Sequence, residues 1–123
     1  MAYSNCSDME GCQTFVFLRI GASHFRSVKF SDIVLIESDQ PRKLKIYFKN
    51  ESDIKSEVIR KTLSKISDEL PNCFWRINRK TIVNSKHVNT VSDKFDYVQV
   101  GSLLLDVGPS FRSKLRAILN VLE

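Results

Sequence analysis

Lys43–Phe48, KLKIYF, alternates polar and apolar residues with a period of two, placing Leu44, Ile46 and Phe48 on one face and Lys43, Lys45 and Tyr47 on the other. Only a strand turns successive side chains to opposite faces, so this stretch predicts a half-exposed strand. Just before it, Ile33–Ser38 reads IVLIES, a continuous apolar run expected of a strand covered on both faces. FVFLRI (Phe15–Ile20) and His24–Phe30 predict a hairpin turning at Gly21. Phe74–Ile77, Thr81–Val83, His87–Val91, Tyr97–Val100 and Leu103–Val107 add further short runs of the same kind. The sum is about eight short strands, separated by turn residues such as Ser31-Asp32 and Gly101-Ser102. Strands and helices do not alternate regularly, which argues against a parallel doubly wound sheet.

Two stretches carry helical spacing. Ile59, Leu63, Ile66 and Leu70 are 4, 3 and 4 residues apart and form one stripe, closed by Pro71-Asn72. Where it starts is open, because Ile54–Val58 also reads as strand. Phe111, Leu115, Ile118, Leu119 and Leu122 describe a C-terminal amphipathic helix with Pro109 in its first turn, where a missing N–H is harmless. Ser110 or Gly108 is the candidate cap. The expected fold is therefore mainly β, with one central and one C-terminal helix. Residues 1–14, MAYSNCSDMEGCQT, contain little to bury and are read as a flexible leader before a single domain at 15–123.

Bulk properties exclude more than they identify. No apolar run approaches the roughly 20 residues of a membrane span. The N-terminus lacks the basic and apolar regions of a signal peptide, so a cytoplasmic chain is expected. The three cysteines, Cys6, Cys12 and Cys73, are odd in number and lack C-x₂-C spacing. Neither a disulfide framework nor a metal site is expected from them. Walker, GxGxxG and HExxH signatures are absent; the only histidines are His24 and His87, and His87 sits in a strand-like run beside Lys86 with no nucleophile or orienting acid close in sequence. No catalytic residue, no cofactor and no small-molecule substrate are expected.

The net charge of +5 favours an anionic partner, but position matters more than total. The bases form three groups: Arg42, Lys43 and Lys45; Arg76, Arg79, Lys80 and Lys86; Arg112, Lys114 and Arg116. No Asp or Glu occurs from Leu70 to Ser92, so the second group is unbalanced. Lysines and arginines at the bends of β-structure can neutralise phosphates, and arginine can fork onto guanine in the major groove. Stacking of single-stranded bases on Trp75 is a third reading, but no second exposed aromatic pair marks a platform.

FWRINRKTIVNSKHV resembles the central motif of LytTR-type DNA-binding domains, the output domains of many bacterial response regulators in two-component systems. That motif reads approximately F-x-R-x-H-R-S-x-x-V-N-x-x-x-I, and Phe74, Arg76, Arg79, Val83, Asn84 and Val88 fit it. FSDIVLIES is similar to the family's upstream strand, through Asp32, Ile33, Ile36 and Glu37. DVGPSFRSKLRAIL is similar to its closing segment. The resemblance covers roughly residues 15–120. It departs at Asn78, where the motif has His, and at Lys80, where it has Ser. It departs again at Gly108 and Pro109, which stand where a Ser-Arg pair is common.

The resemblance implies an elongated stack of small, mostly antiparallel sheets, and binding of double-stranded promoter DNA through loops rather than a recognition helix. Carried over by position, the contacts fall on Arg42 and Lys43, on the bend with Arg79 and Lys80, and on Ser110 and Arg112. Arg76, Asn78 and Lys86 complete the candidate set, while Asn84 is expected to hold its turn through side-chain-to-backbone bonds. The resemblance also implies binding on direct repeats, with a second copy as partner. Such domains usually follow a receiver or sensor module, so the chain is read as a free-standing regulator or as one domain of a longer protein. The other functional class is a β-rich protein-interaction module that has lost DNA recognition, which Gly108-Pro109 would fit.

Overall fold

The computed structural model describes residues 15–119. The expectations for residues 1–14, including Cys6 and Cys12, and for Leu122 lie outside that range. The strands are β1 (Phe15–Ile20), β2 (His24–Lys29), β3 (Ile33–Gln40), β4 (Lys43–Asn50) and β5 (Asp53–Ile59), then β6 (Phe74–Asn78), β7 (Thr81–Asn84), β8 (Val88–Val91), β9 (Tyr97–Val100) and β10 (Leu103–Asp106). Two short helices, α1 (Leu63–Ser67) and α2 (Arg112–Ile118), complete the set. All pairings are antiparallel. They build a β1–β2 hairpin, a five-stranded sheet of order β5-β4-β3-β7-β6 and a three-stranded sheet of order β10-β9-β8.

The five-stranded sheet is the middle layer. Ile33, Ile36, Leu44, Ile46, Phe48 and Ile82 form one core with Leu18 and Val28 of the hairpin and Leu63 and Ile66 of α1. Val34, Leu35, Ile77 and Val83 form a second core with Val98, Val100, Val107 and Leu115. Each large apolar side chain so buried contributes about 1.5–3 kcal/mol. Strict alternation would place Val34 opposite to Leu35. Instead the register slips between Ile33 and Leu35, a bulge that puts both into the second core while Ile33 and Ile36 stay in the first. β7, with both faces covered, is buried along its whole length.

The stripe expected to open a helix at Ile59 is divided. Residues 53–59 pair with β4 throughout, from Asn50↔Asp53 to Leu44↔Ile59, so Ile59 belongs to a strand. Ile54, Val58 and Ile59 are β-branched and favour that state. The helix begins only after Thr62, whose Oγ1 accepts the amide of Lys65 at 3.3 Å. The tail is likewise corrected: Pro109–Phe111 is a 3₁₀ turn, α2 starts at Arg112, and Leu119 lies just past its end. Neither Ser110 nor Gly108 supplies a side-chain cap there. His87 belongs to a 3₁₀ turn at Ser85–His87, and β8 starts one residue later than expected. β3 runs through Asp39 and Gln40, two residues past the expected end at Ser38.

Asn84 ends β7 with no solvent exposure. Its Nδ2 donates to the carbonyls of Ile33 at 2.8 Å and Phe30 at 3.1 Å, and its Oδ1 accepts from the Lys86 amide at 3.1 Å. The expected turn-holding role is therefore present, and it extends across the sheet to the start of β3. Asn84→Ala removes the side-chain partner of two carbonyls and an amide and should cost about 1–3 kcal/mol. Asn84→Asp places acceptor oxygens against those same carbonyls and should cost more. Urea midpoints at unchanged m would check both; an Asp variant as stable as Asn84 would refute the donor role.

Candidate functional site

Because β3 runs antiparallel to both β4 and β7, the β3–β4 turn and the β6–β7 bend fall at the same end of the middle sheet. The pairing Glu37↔Thr81 and the 2.8 Å bond from the Ser38 amide to the Lys80 carbonyl place them side by side. With strands about 4.8 Å apart, the two turns are centred about 10 Å from each other. β5 also finishes at this end, where the Lys61 amide donates to the Arg42 carbonyl at 3.0 Å. On the far side, the Gly108 amide donates to the Ile77 carbonyl at 2.8 Å and attaches the segment leading into α2. Four chain segments distant in sequence thus meet along one edge.

The β6–β7 bend is held by its own side chains. Asn78 Oδ1 accepts the Lys80 amide at 2.8 Å, closing a side-chain turn around Arg79. Asn78 Nδ2 donates to the Asp106 carbonyl at 2.7 Å. Arg76 donates through Nε to the Asn78 carbonyl at 3.3 Å and through a terminal nitrogen to the Arg79 carbonyl at 3.0 Å, and its guanidinium lies 5.9 Å from the Phe111 ring. Arg76 and Asn78 are therefore engaged in shaping the bend, while Arg79 and Lys80 project from it exposed. Ile77 is the extra residue of a bulge between Arg76 and Asn78, and its side chain anchors the strand end in the second core.

The β3–β4 turn consists of Pro41 and Arg42, between the paired Gln40 and Lys43. Pro41 presets its own φ, and Arg42 follows in the left-handed region at φ 63°, a position that favours glycine. Arg42 is exposed and Lys43 half-buried. In the fourth segment, Ser110 is exposed, and Arg112 donates through Nε to the Val107 carbonyl at 3.1 Å. Gly108 packs so closely that an added Cβ would lie 3.1 Å from the Phe111 ring and 3.5 Å from Asn78 Cβ. The Val107 amide donates to the Asp96 carbonyl at 2.9 Å. Ser92 Oγ donates to Asp96 Oδ1 at 2.6 Å, and that bond holds the Asp96 carboxyl below the usual carboxylate range.

The structure thus gathers Arg42, Lys43, Arg79, Lys80, Ser110 and Arg112 at one end, with Arg76 and Asn78 bracing them. It does not bring Lys86 there: Lys86 follows the opposite end of β7, roughly 13 Å of strand away. It sits instead by Cys73, whose thiol is pushed up by burial and partly drawn back by the Lys86 charge. Arg60, absent from the sequence-based set, is exposed directly after β5 and joins the gathered end. Its only sequence signal was its place after an ambiguous strand. The segments also carry Asp39 and Asp106. The two ion pairs among the described residues, Arg26–Glu57 and Lys61–Glu69, involve none of the gathered bases.

Other candidates lie elsewhere. Trp75 pairs with Val83 and packs against the second core. His87 Nε2 lies 2.7 Å from the Ser31 carbonyl. Among the described residues no cluster of His, Cys, Asp and Glu could hold a metal, and no helix is long and apolar enough to cross a membrane.

A model of the LytTr DNA-binding domain family matches residues 23–119. The chain belongs to the LytTR family. The family is one of DNA-binding domains, and DNA binding in transcription regulation is what membership implies. Among solved structures, the LytTr DNA-binding domain of a protein described as a methyl-accepting/DNA response regulator from Bacillus cereus shares the fold, with a TM-score of 0.68. The two are 22% identical, over 89% of this chain and 100% of that one. No curated protein matches. β1 precedes the residues matched by the LytTR model, so the hairpin is only partly inside it.

The double engagement of Asn78 gives a direct expectation. Asn78→Asp keeps the acceptor for the Lys80 amide, whereas Asn78→Ala removes it. Hydrogen exchange should leave the Lys80 amide protected in the first variant and expose it in the second; equal rates would refute the side-chain turn.

Proposed function

We propose that this LytTR domain binds double-stranded promoter DNA through the basic end of its middle sheet, as part of a cytoplasmic bacterial transcription regulator. The observation that carries the reading is the strand register, which sets exposed bases from separate turns in one row. Across five strands that row is about 19 Å wide, room for several phosphates of one duplex strand. Arg42, Lys43, Arg60, Arg79 and Lys80 neutralise phosphates or enter a groove, and Ser110 and Arg112 flank them. Arg76 and Asn78 position the bend, and Lys86 lies outside the contact. Direct repeats would take a second copy of the domain. The 1–14 leader and a 15–123 binding domain complete the proposed organisation, with no catalytic step and no small-molecule substrate in the DNA-binding act.

A β-rich protein-interaction module is the second reading. It is favoured by Leu103 and Leu104 on β10, 51% and 66% exposed, together with the replacement of the common Ser-Arg pair by Gly108-Pro109. It expects a protein partner and no promoter footprint.

Fluorescence anisotropy on a duplex from upstream of the encoding gene, across a salt series, separates the two. Each neutralised phosphate adds about 0.9 to the slope of log K against log salt, so a slope of about −3 to −5 is expected. Arg79→Ala should weaken binding about tenfold or more and lower the slope by about one, and Lys86→Ala should leave both within twofold. Affinity for the upstream duplex no greater than for scrambled DNA would sink the sequence-specific reading.

Arg42→Gly makes a sharper test. It relieves a left-handed non-glycine residue, so the urea midpoint should hold or rise while DNA affinity falls. A loss of both together would show that Arg42 acts through the fold.

A further inference from the structure

The β1–β2 hairpin is not among the four segments that meet at the basic end, yet its turn reaches the same place. Arg26 of β2 is paired with Glu57 of β5 at 3.2 Å, and β1 packs beside β5, so the hairpin is fixed against that strand. The hairpin turn, through Gly21 and Ala22, and the finish of β5, through Arg60 and Lys61, border one cleft. Turn and strand end therefore lie at the same end of the molecule. β5 is the outer strand on one side of the middle sheet, and Gly108 is attached to β6 on the other. The turn thus continues the basic row past Arg60, away from Ser110 and Arg112.

No Asp or Glu occurs from Gly11 to Ser31, so the hairpin carries positive charge and no acid of its own. Arg19 is exposed, and its side chain is folded toward the turn: a terminal nitrogen donates to the Ala22 carbonyl at 3.3 Å, and the guanidinium lies 5.2 Å from the Phe25 ring. These contacts use one of its five N–H donors and leave the others for a further acceptor. Arg76, by contrast, is half-buried and gives two bonds to its own bend. Neither ion pair among the described residues involves Arg19. A guanidinium already held in place loses less freedom when it pairs with a phosphate.

We propose that Arg19 at the hairpin turn is a further DNA contact, neutralising a phosphate on the flank of the duplex beyond Arg60. This contact rests on the proposed DNA-binding reading. Packed layers stand about 10 Å apart and successive phosphates of one strand about 3.4 Å apart along the duplex, so the hairpin lengthens the footprint by about three base pairs. Arg19 precedes residues 23–119, the stretch matched by the LytTR model, so the contact is an addition of this chain to the shared domain.

Anisotropy of the full chain over a salt series, on a duplex from upstream of the encoding gene, tests the contact. Arg19→Ala should weaken binding about three- to tenfold and lower the salt slope by about 0.9. Arg19→Lys, which keeps the charge, should restore the slope. On two duplexes, each shortened at a different edge of the footprint, the loss caused by Arg19→Ala should vanish on one and persist on the other. An unaltered slope in Arg19→Ala, while Arg79→Ala still weakens binding, overturns the hairpin contact and leaves the DNA reading standing. A loss that persists on both shortened duplexes, or that Arg19→Lys does not relieve, places the effect in the fold and also overturns it. A parent chain that binds no duplex overturns the DNA reading and this contact together.

Discussion

The side-chain amide of Asn84, at the end of β7, is buried where the entry to β3 and the turn into β8 meet, and it bonds to both. β7 lies between β3 and β6, so its position sets the register in which each of those strands pairs with it. The Ser38–Lys80 bond and the Gly108–Ile77 bond both depend on that register. One buried polar side chain at the quiet end of the sheet therefore holds the geometry of the basic end. Polar groups so placed destabilise a core unless fully paired, and Asn84 uses both its oxygen and its nitrogen.

Much of this fold is legible in local pattern. The period of two in Lys43–Phe48 excludes a helix, and the apolar run of β3 reads correctly as a strand through its short length and β-branched Ile33, Val34 and Ile36. Asp53–Ile59 was not settled locally: its burial alternates weakly, since β5 is an edge strand with most of its side chains exposed. What decides it is pairing with β4, which no short window contains. Arg60 was missed for the same reason. It neighbours Arg42 only through long-range register. Lys86 shows the converse: closeness in sequence to Lys80 suggested one cluster, and a single short strand carries them to opposite ends.

Asn78 illustrates a different limit. Residue type and position made it a candidate contact, and nothing in the sequence reveals that its two polar atoms are bonded within the chain. The same holds for Arg76, whose charge is turned to backbone carbonyls. Charge counting from sequence cannot separate bases that shape a surface from bases that project from it. Here the division follows the strand edge, with Arg76 and Asn78 on β6 and Arg79 and Lys80 beyond its end.

The bulge at Val34 has a consequence for how the molecule comes apart. By sending Val34 and Leu35 to one side and Ile33 and Ile36 to the other, four consecutive residues of β3 belong to both cores at once. Neither layer can be lost without releasing the strand that serves the other. The molecule is built to melt as one cooperative unit despite having two separate hydrophobic clusters, and partial unfolding is confined to what hangs outside β3: the tip of the first hairpin and the outer edge of the three-stranded sheet.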